Sequence, residues 1–258
     1  MNSHRLVKLV AGLGLILCVV ILAGTPNSSR PLQARDFRDN GEEELIRIGF
    51  QIAPVPLNLQ GKNPELVGLG SFLVNAAGDC NGCHTAGVPP NLGYAAGGNP
   101  YFNQKAVVDP AVYLSGGMNF GPVGTPTGPL MYAGPNIITR NLTPDKSGRA
   151  EGGNTRAQFK QIMRHGTDFD HIHPTCSAAQ IAQIEATANP AELPVCIPTS
   201  PGNTVDGNLL QVMPWPTFAN MTDHQLDAIY EYLSAIPCIN NTTSPPPAGA
   251  PDELHNSC

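Results

Sequence analysis

Cys80-Asn81-Gly82-Cys83-His84 constrains this chain more than any other stretch of it. On one helical turn, positions i, i+3 and i+4 share a face, so two thiols and an imidazole converge on one side. The C-x-x-C-H spacing is that of a c-type haem attachment site: the thiols reach the two vinyl groups of one porphyrin and the imidazole meets the iron. Half a zinc site and a thioredoxin-like dithiol are the other uses of such a pair. Zinc would want a second pair of ligands at metal-ligand spacing, but the remaining cysteines are scattered singly and no βαβ pattern surrounds the motif. The expectation is one covalent haem c, with Cys80 and Cys83 as its thioethers and His84 as an axial ligand.

The rest of the composition suits a loop-rich globular protein of one large domain or two small ones. Of 258 residues, 41% are hydrophobic and only 13% charged, while glycine and proline number 27 and 26. The net charge of −6 gives no reason to expect nucleic acid as a partner and leaves room for a basic redox partner. Seven cysteines bear on compartment. Two belong to the motif and Cys18 lies in an apolar N-terminal run. Cys176, Cys196, Cys238 and Cys258 remain, an even number in a chain that carries an export signature. Four cysteines permit three connectivities. Local pairing, Cys176 with Cys196 and Cys238 with Cys258, is expected because each pair clips a surface loop.

Residues 1–24 read as a signal peptide or an N-terminal membrane anchor. Arg5 and Lys8 precede the uncharged run from Leu9 to Gly24, which is long for a signal core and slightly short for a membrane span. A cleaved signal is favoured, with a membrane tether through residues 9–24 as the alternative. Either places the chain in the periplasm or on the periplasmic face of the inner membrane. Residues 25–59 read as a linker and a short helix, with Glu42, Glu43 and Glu44 in its first turn and Leu45, Ile48 and Ile52 as its apolar face. Residues 60–238 form the haem domain and 239–258 an extended tail.

Within the haem domain, Asn63 and Pro64 open a helix whose face is Leu66, Leu69, Phe72, Leu73 and Ala76. Thr85 to Pro135 is rich in turn residues and long for a connection, the kind of segment that often binds something; Met118, Met131, Tyr94, Tyr101 and Tyr113 lie in it. Capping boxes open three later helices, at Thr155 with Gln158, Ser177 with Gln180 and Thr222 with Gln225. His171 and His173, in an aspartate-bearing loop, read as solvated rather than as metal ligands.

An electron-transferring haem c needs a sixth ligand, and Met213 is the candidate. It sits in Val212-Met213-Pro214-Trp215-Pro216, where prolines hold the preceding residues extended and a stiff loop presents a thioether at little entropic cost. Met221 is the competitor. Trp215 is expected to wall water from the iron, and His84 to donate its other ring N–H to a carbonyl just after the motif.

The order Cys80-Asn81-Gly82-Cys83-His84, Asn141-Leu142-Thr143-Pro144-Asp145, Met213-Pro214-Trp215, Met221-Thr222-Asp223 and the helix bearing Tyr230, Tyr232 and Leu233 resembles class I c-type cytochromes. It is most similar to the haem domains of membrane-bound alcohol dehydrogenase cytochrome c subunits. The resemblance, over residues 60–238, implies an all-α cytochrome c-like fold around one covalent haem, with N- and C-terminal helices crossing, His84 proximal and Met213 distal. Those subunits carry several haem motifs, whereas this chain has one, with long loop insertions at Thr85–Pro135 and Cys176–Cys196. The function implied is a monohaem electron carrier, not an enzyme, working with redox partners such as a dehydrogenase or a terminal oxidase. The alternatives are a cytochrome subunit bound stably to a membrane dehydrogenase and a ligand-binding or peroxide-reducing haem protein.

Overall fold

Helices and loops, with no sheet, make up the described residues of the computed structural model, which are 34–85, 92–170, 172–202, 204–240 and 258; Glu42 onward form one unit and the residues up to Gly41 another. The helices are α1 (Ala34–Ile52), α2 (Pro64–Phe72), α3 (Arg156–His165), α4 (Ala178–Ala186), α5 (Trp215–Phe218) and α6 (Asp223–Leu233). Strand-like pairing is confined to isolated bridges, such as Asn119 with Ile138. The expected export signal at residues 1–24 and most of the tail lie outside the described residues. No described helix is long and apolar enough to cross a membrane.

The caps stand where the sequence puts them, because each supplies acceptors or donors that the first helical turn lacks. Asn63 accepts from the amides of Glu65 and Leu66. Thr155, Ser177 and Thr222 each close a reciprocal box with Gln158, Gln180 and Gln225. Gly166 ends α3 in the left-handed region at φ 66°, which glycine adopts without a Cβ penalty.

Two helical expectations need correction. α1 begins at Ala34, so Glu42 to Glu44 lie inside it rather than in its first turn, and Ile52 is 37% exposed. What α1 buries instead is Gly49, whose carbonyl accepts the Ser71 hydroxyl at 2.7 Å. α2 does not stop cleanly: it widens into a π turn, Leu73–Ala77. Val67 in the regular part of the helix is fully buried, and along the wider turn the buried residue is Val74 while Ala76 is exposed.

α2 and α6 cross at the centre of the core, where Val67, Val74, Leu226, Tyr232 and Leu233 are at most 1% exposed. Burying a side chain of this size contributes about 1.5–3 kcal/mol. A polar thread runs through the crossing. Asn75 donates to Tyr232 Oη at 3.1 Å and accepts from Tyr113 Oη at 2.5 Å, and the two phenols meet at 2.8 Å. Tyr113 and Leu114 are thereby pinned inside the molecule at 1% and 0% exposure. The turn-rich segment is therefore partly core.

Both expected cysteine pairs are at bonding distance, Cys176 with Cys196 and Cys238 with Cys258. The first encloses α4, whose Ile184 is fully buried, and it sits under a backbone pairing of Cys176 N–H to Ile197 O at 3.0 Å. Closing a loop of that length stabilises by about 3 kcal/mol in the chain-entropy model. Replacing Cys176 and Cys196 together by serine should lower stability to denaturant by about that amount, with the Cys238–Cys258 peptide still recovered intact on non-reducing mapping. Recovery of a Cys176–Cys238 peptide from the native chain would refute the pairing.

Candidate functional site

The end of α2 delivers the C-x-x-C-H motif to a cleft. The π turn closes through Gly78 N–H to Leu73 O at 2.7 Å, and Asp79, left-handed at φ 44°, redirects the chain into the 3-10 turn Cys80–Gly82. The amides of Cys83 and His84 both return to Cys80 O, at 3.2 and 2.8 Å. This winding holds Cys80, Cys83 and His84 along one cleft, which encloses about 1090 Å³ of empty space including its mouth.

Neither motif thiol is in a disulfide. Burial pushes the Cys80 thiol up to about 12, with Asp79 and Cys83 acting in the same direction. Burial and then Asp79 raise Cys83 as well. Both are held as S–H at neutral pH, free to be joined to a group in the cleft.

His84 Nδ1 lies 2.8 Å from the backbone oxygen of Arg140. A carbonyl only accepts, so Nδ1 carries the proton and Nε2 keeps its lone pair. Burial lowers the pKa of the ring, against the raising effect of this hydrogen bond, and favours the neutral form. The acceptor corrects the sequence expectation: it is not a carbonyl just after the motif but one 56 residues further on.

Met213 lines the same cleft, on the loop Leu210–Pro214. That loop is clamped to the end of α3. Leu210 N–H donates to Gly166 O at 2.7 Å, and Trp215 Nε1 donates back to Leu210 O at 3.2 Å. The indole lies so close over Gly166 that a Cβ there would come within 2.3 Å of it. Trp215 is therefore a clamp for the loop rather than the wall facing the cleft. Phe159, from α3, and Phe218 supply the aromatic wall, and Ile137, Leu142, Ile229 and Leu233 extend the apolar lining.

Met131 is 67% exposed, and Met118 and Met221 do not line the cleft among the described residues. Met163 does, from α3, at 4% exposure. Helical spacing marks Met163 as core, and nothing in the sequence separates a core thioether from one that also faces a cleft. His173 is a further correction: it is 5% exposed and lines the cleft rather than lying in solvent, while His171 lies outside the described residues. Among the described residues no cluster of three or more metal-ligating side chains occurs.

One polar flank completes the cleft. Arg140 reaches Asp168 at 2.5 Å and also Asp170, and Glu151 lies beside them. Glu151 is 8% exposed, and its Oε2 has no hydrogen-bond partner among the described residues. These residues escaped the sequence reading because no motif joins them. The Gly152-Gly153 pair following Glu151 was the one available hint of unusual backbone there.

Two thiols in the S–H form, an imidazole with its second nitrogen committed and a thioether, all along one apolar cleft, suit a covalently attached porphyrin. Comparison with family models, with curated proteins and with solved structures finds no match for this chain.

Proposed function

We propose that the chain is a monohaem c-type cytochrome that carries single electrons, with haem c tethered by Cys80 and Cys83 and its iron held between His84 and Met213. The observation that carries this reading is the convergence of those four side chains on one apolar cleft, with His84 Nδ1 donated to Arg140 O at 2.8 Å. When bound, the haem supplies a one-electron Fe(II)/Fe(III) couple whose potential depends on axial ligands and burial. The protein supplies the rest. The two cysteines fix the group in place, Arg140 O orients the imidazole, the clamped loop presents Met213, and the apolar wall keeps water out.

The compartment follows from the export signature at residues 1–24: the periplasm, or the periplasmic face of the inner membrane. Donor and acceptor would be redox proteins such as a dehydrogenase and a terminal oxidase.

The test is expression with export and c-type haem attachment, followed by denaturing electrophoresis. The band should stain for haem, and Cys80→Ser with Cys83→Ser should lose the stain while the chain is still made. A chain that sheds its haem in denaturant, or that carries zinc instead, would sink the proposal. Carbon monoxide added to the reduced protein should leave its spectrum unchanged. A shifted spectrum would favour a ligand-binding haem protein over an electron carrier.

A further inference from the structure

Beside the apolar cleft lies a second, polar one, enclosing about 790 Å³ of empty space and open to solvent. Arg149, Asn154, Gln158 and Asp170 line it, and Arg140 and Glu151 belong to the walls of both clefts. Glu151 thus stands on the partition between a site for an apolar group and a water-accessible hollow.

Its position is imposed, not relaxed. Glu151 is left-handed, at φ 51° and ψ 55°, in the single helical turn Ala150–Gly153. A non-glycine residue with a long side chain is uncommon there. The pose is pinned by Glu151 N–H to Leu142 O and Gly152 N–H to Thr143 O, both at 3.2 Å, and by Asn154 Nδ2 to Glu151 O at 3.2 Å. Held this way, the carboxyl is 8% exposed and Oε2 lacks a hydrogen-bond partner among the described residues. An orphaned buried acceptor is costly when charged and less so when it carries a proton.

The surrounding charges offset one another at Glu151. Arg140 favours its ionised form, but Asp168 and Asp170, which occupy that guanidinium, oppose it. Arg149 lines the outer cleft and His173 the inner one. From α6, Tyr230 donates its hydroxyl to Asn154 O and Glu231 is paired with Arg156. Beside Gly153 stands Asp145.

We propose that Glu151 takes up a proton through the polar cleft when the haem site takes up an electron, and releases it on oxidation. The inference rests on the haem reading above. The electron comes from the one-electron protein donor and the proton from water in the polar cleft. One O–H bond forms on the carboxylate as one breaks in a hydronium ion of that water, and no other bond changes. Burial, opposed by Arg140 and assisted by Asp170, brings the carboxyl to about 7, so it exchanges protons near neutral pH. A unit charge added in the cleft that Glu151 lines raises its proton affinity, by about tenfold for a coupling within the ordinary range. By reciprocity, protonation changes the electron affinity equally.

The test is the midpoint potential of the haem-loaded protein from pH 5 to pH 9, for the wild type, Glu151→Gln and Glu151→Gly. The wild-type potential should fall by a tenfold change in equilibrium constant, ~59 mV for one electron, as pH rises through the window around neutrality. Both variants should be flat over that window, meeting the wild type at its acid limit and lying above it in alkali. Glycine accepts the left-handed backbone without strain, so that variant keeps the test available if glutamine disturbs folding. Redox-difference infrared spectra of the wild type should show a protonated-carboxyl band in the reduced state that both variants lack. A pH-independent wild-type potential, or a dependence that survives in both variants, overturns the proposal while leaving the haem reading intact. A chain without covalent haem fails earlier, at the stained gel.

Discussion

Gly70→Ala should leave the chain unable to hold its native helix crossing, with a stability loss above about 3 kcal/mol, the upper end of ordinary overpacking. A Cβ at Gly70 would stand 1.9 Å from Ala228 O, 2.6 Å from the Ala228 carbonyl carbon and 2.7 Å from Tyr232 Cβ. None of these atoms can swing away by a rotamer change, because two are backbone and the third is attached directly to it. α2 and α6 would have to separate. A gap of even 0.5–1 Å forfeits a quarter to a half of each dispersion contact along the seam, and the seam holds Val67, Val74, Leu226 and Leu233. The Asn75–Tyr232–Tyr113 hydrogen bonds span the same seam and would be stretched with it. Gly41→Ala is the control: a Cβ there meets nothing within 4 Å, and in a helix it should be neutral or stabilising by up to about 1 kcal/mol. Thermal melts followed by circular dichroism separate the two. A Gly70→Ala protein that melts with the wild type would show that the two helices do not approach as closely as described.

The same crossing shows what the sequence carries and what it does not. Helix starts are local events, decided by a side chain three residues from the amide it serves, and so Thr155, Ser177 and Thr222 can be read directly. The C-x-x-C-H motif is equally local, and the cysteine pairs were constrained by having few alternatives. Close helix approach is not local. Gly49 and Gly68 look like helix weakeners in sequence, yet a Cβ on Gly49 would come within 1.9 Å of Gly68 O. Their meaning lies in the partner helix. The shift of the α2 stripe from Ala76 to Val74 falls in a π turn that carries no marker of its own. The polar flank of the cleft gathers Arg140, Glu151 and, from one loop after α3, Asp168 and His173. Trp215 was read as a wall because it adjoins Met213, but the bare Cα of Gly166 offered its ring a closer seat.

Met213→Ala should leave haem attached, because the two cysteine thioethers and His84 are untouched, but should abolish the long-wavelength sulfur-to-iron absorption of the oxidised protein. It should also open the site to carbon monoxide and lower the potential, since a soft neutral thioether favours Fe(II). The fold should tolerate the change. Met213 is only partly buried, and the loop bearing it is tied down by bonds that do not involve its side chain: Leu210 N–H to Gly166 O and the Trp215 indole to Leu210 O. The informative comparison is Met163, the other thioether lining the cleft. It sits in the last turn of α3 at 4% exposure, so Met163→Ala leaves a cavity in a packed wall and should cost about 2–5 kcal/mol. If Met213 is the ligand, the two variants dissociate cleanly. Met213→Ala loses the absorption with little change in melting temperature, and Met163→Ala melts earlier with the absorption intact. Met221→Ala, away from the cleft, should retain the absorption. Should Met163→Ala remove the band and Met213→Ala keep it, the axial thioether comes from α3, and the clamped loop serves only to shield the cleft from water.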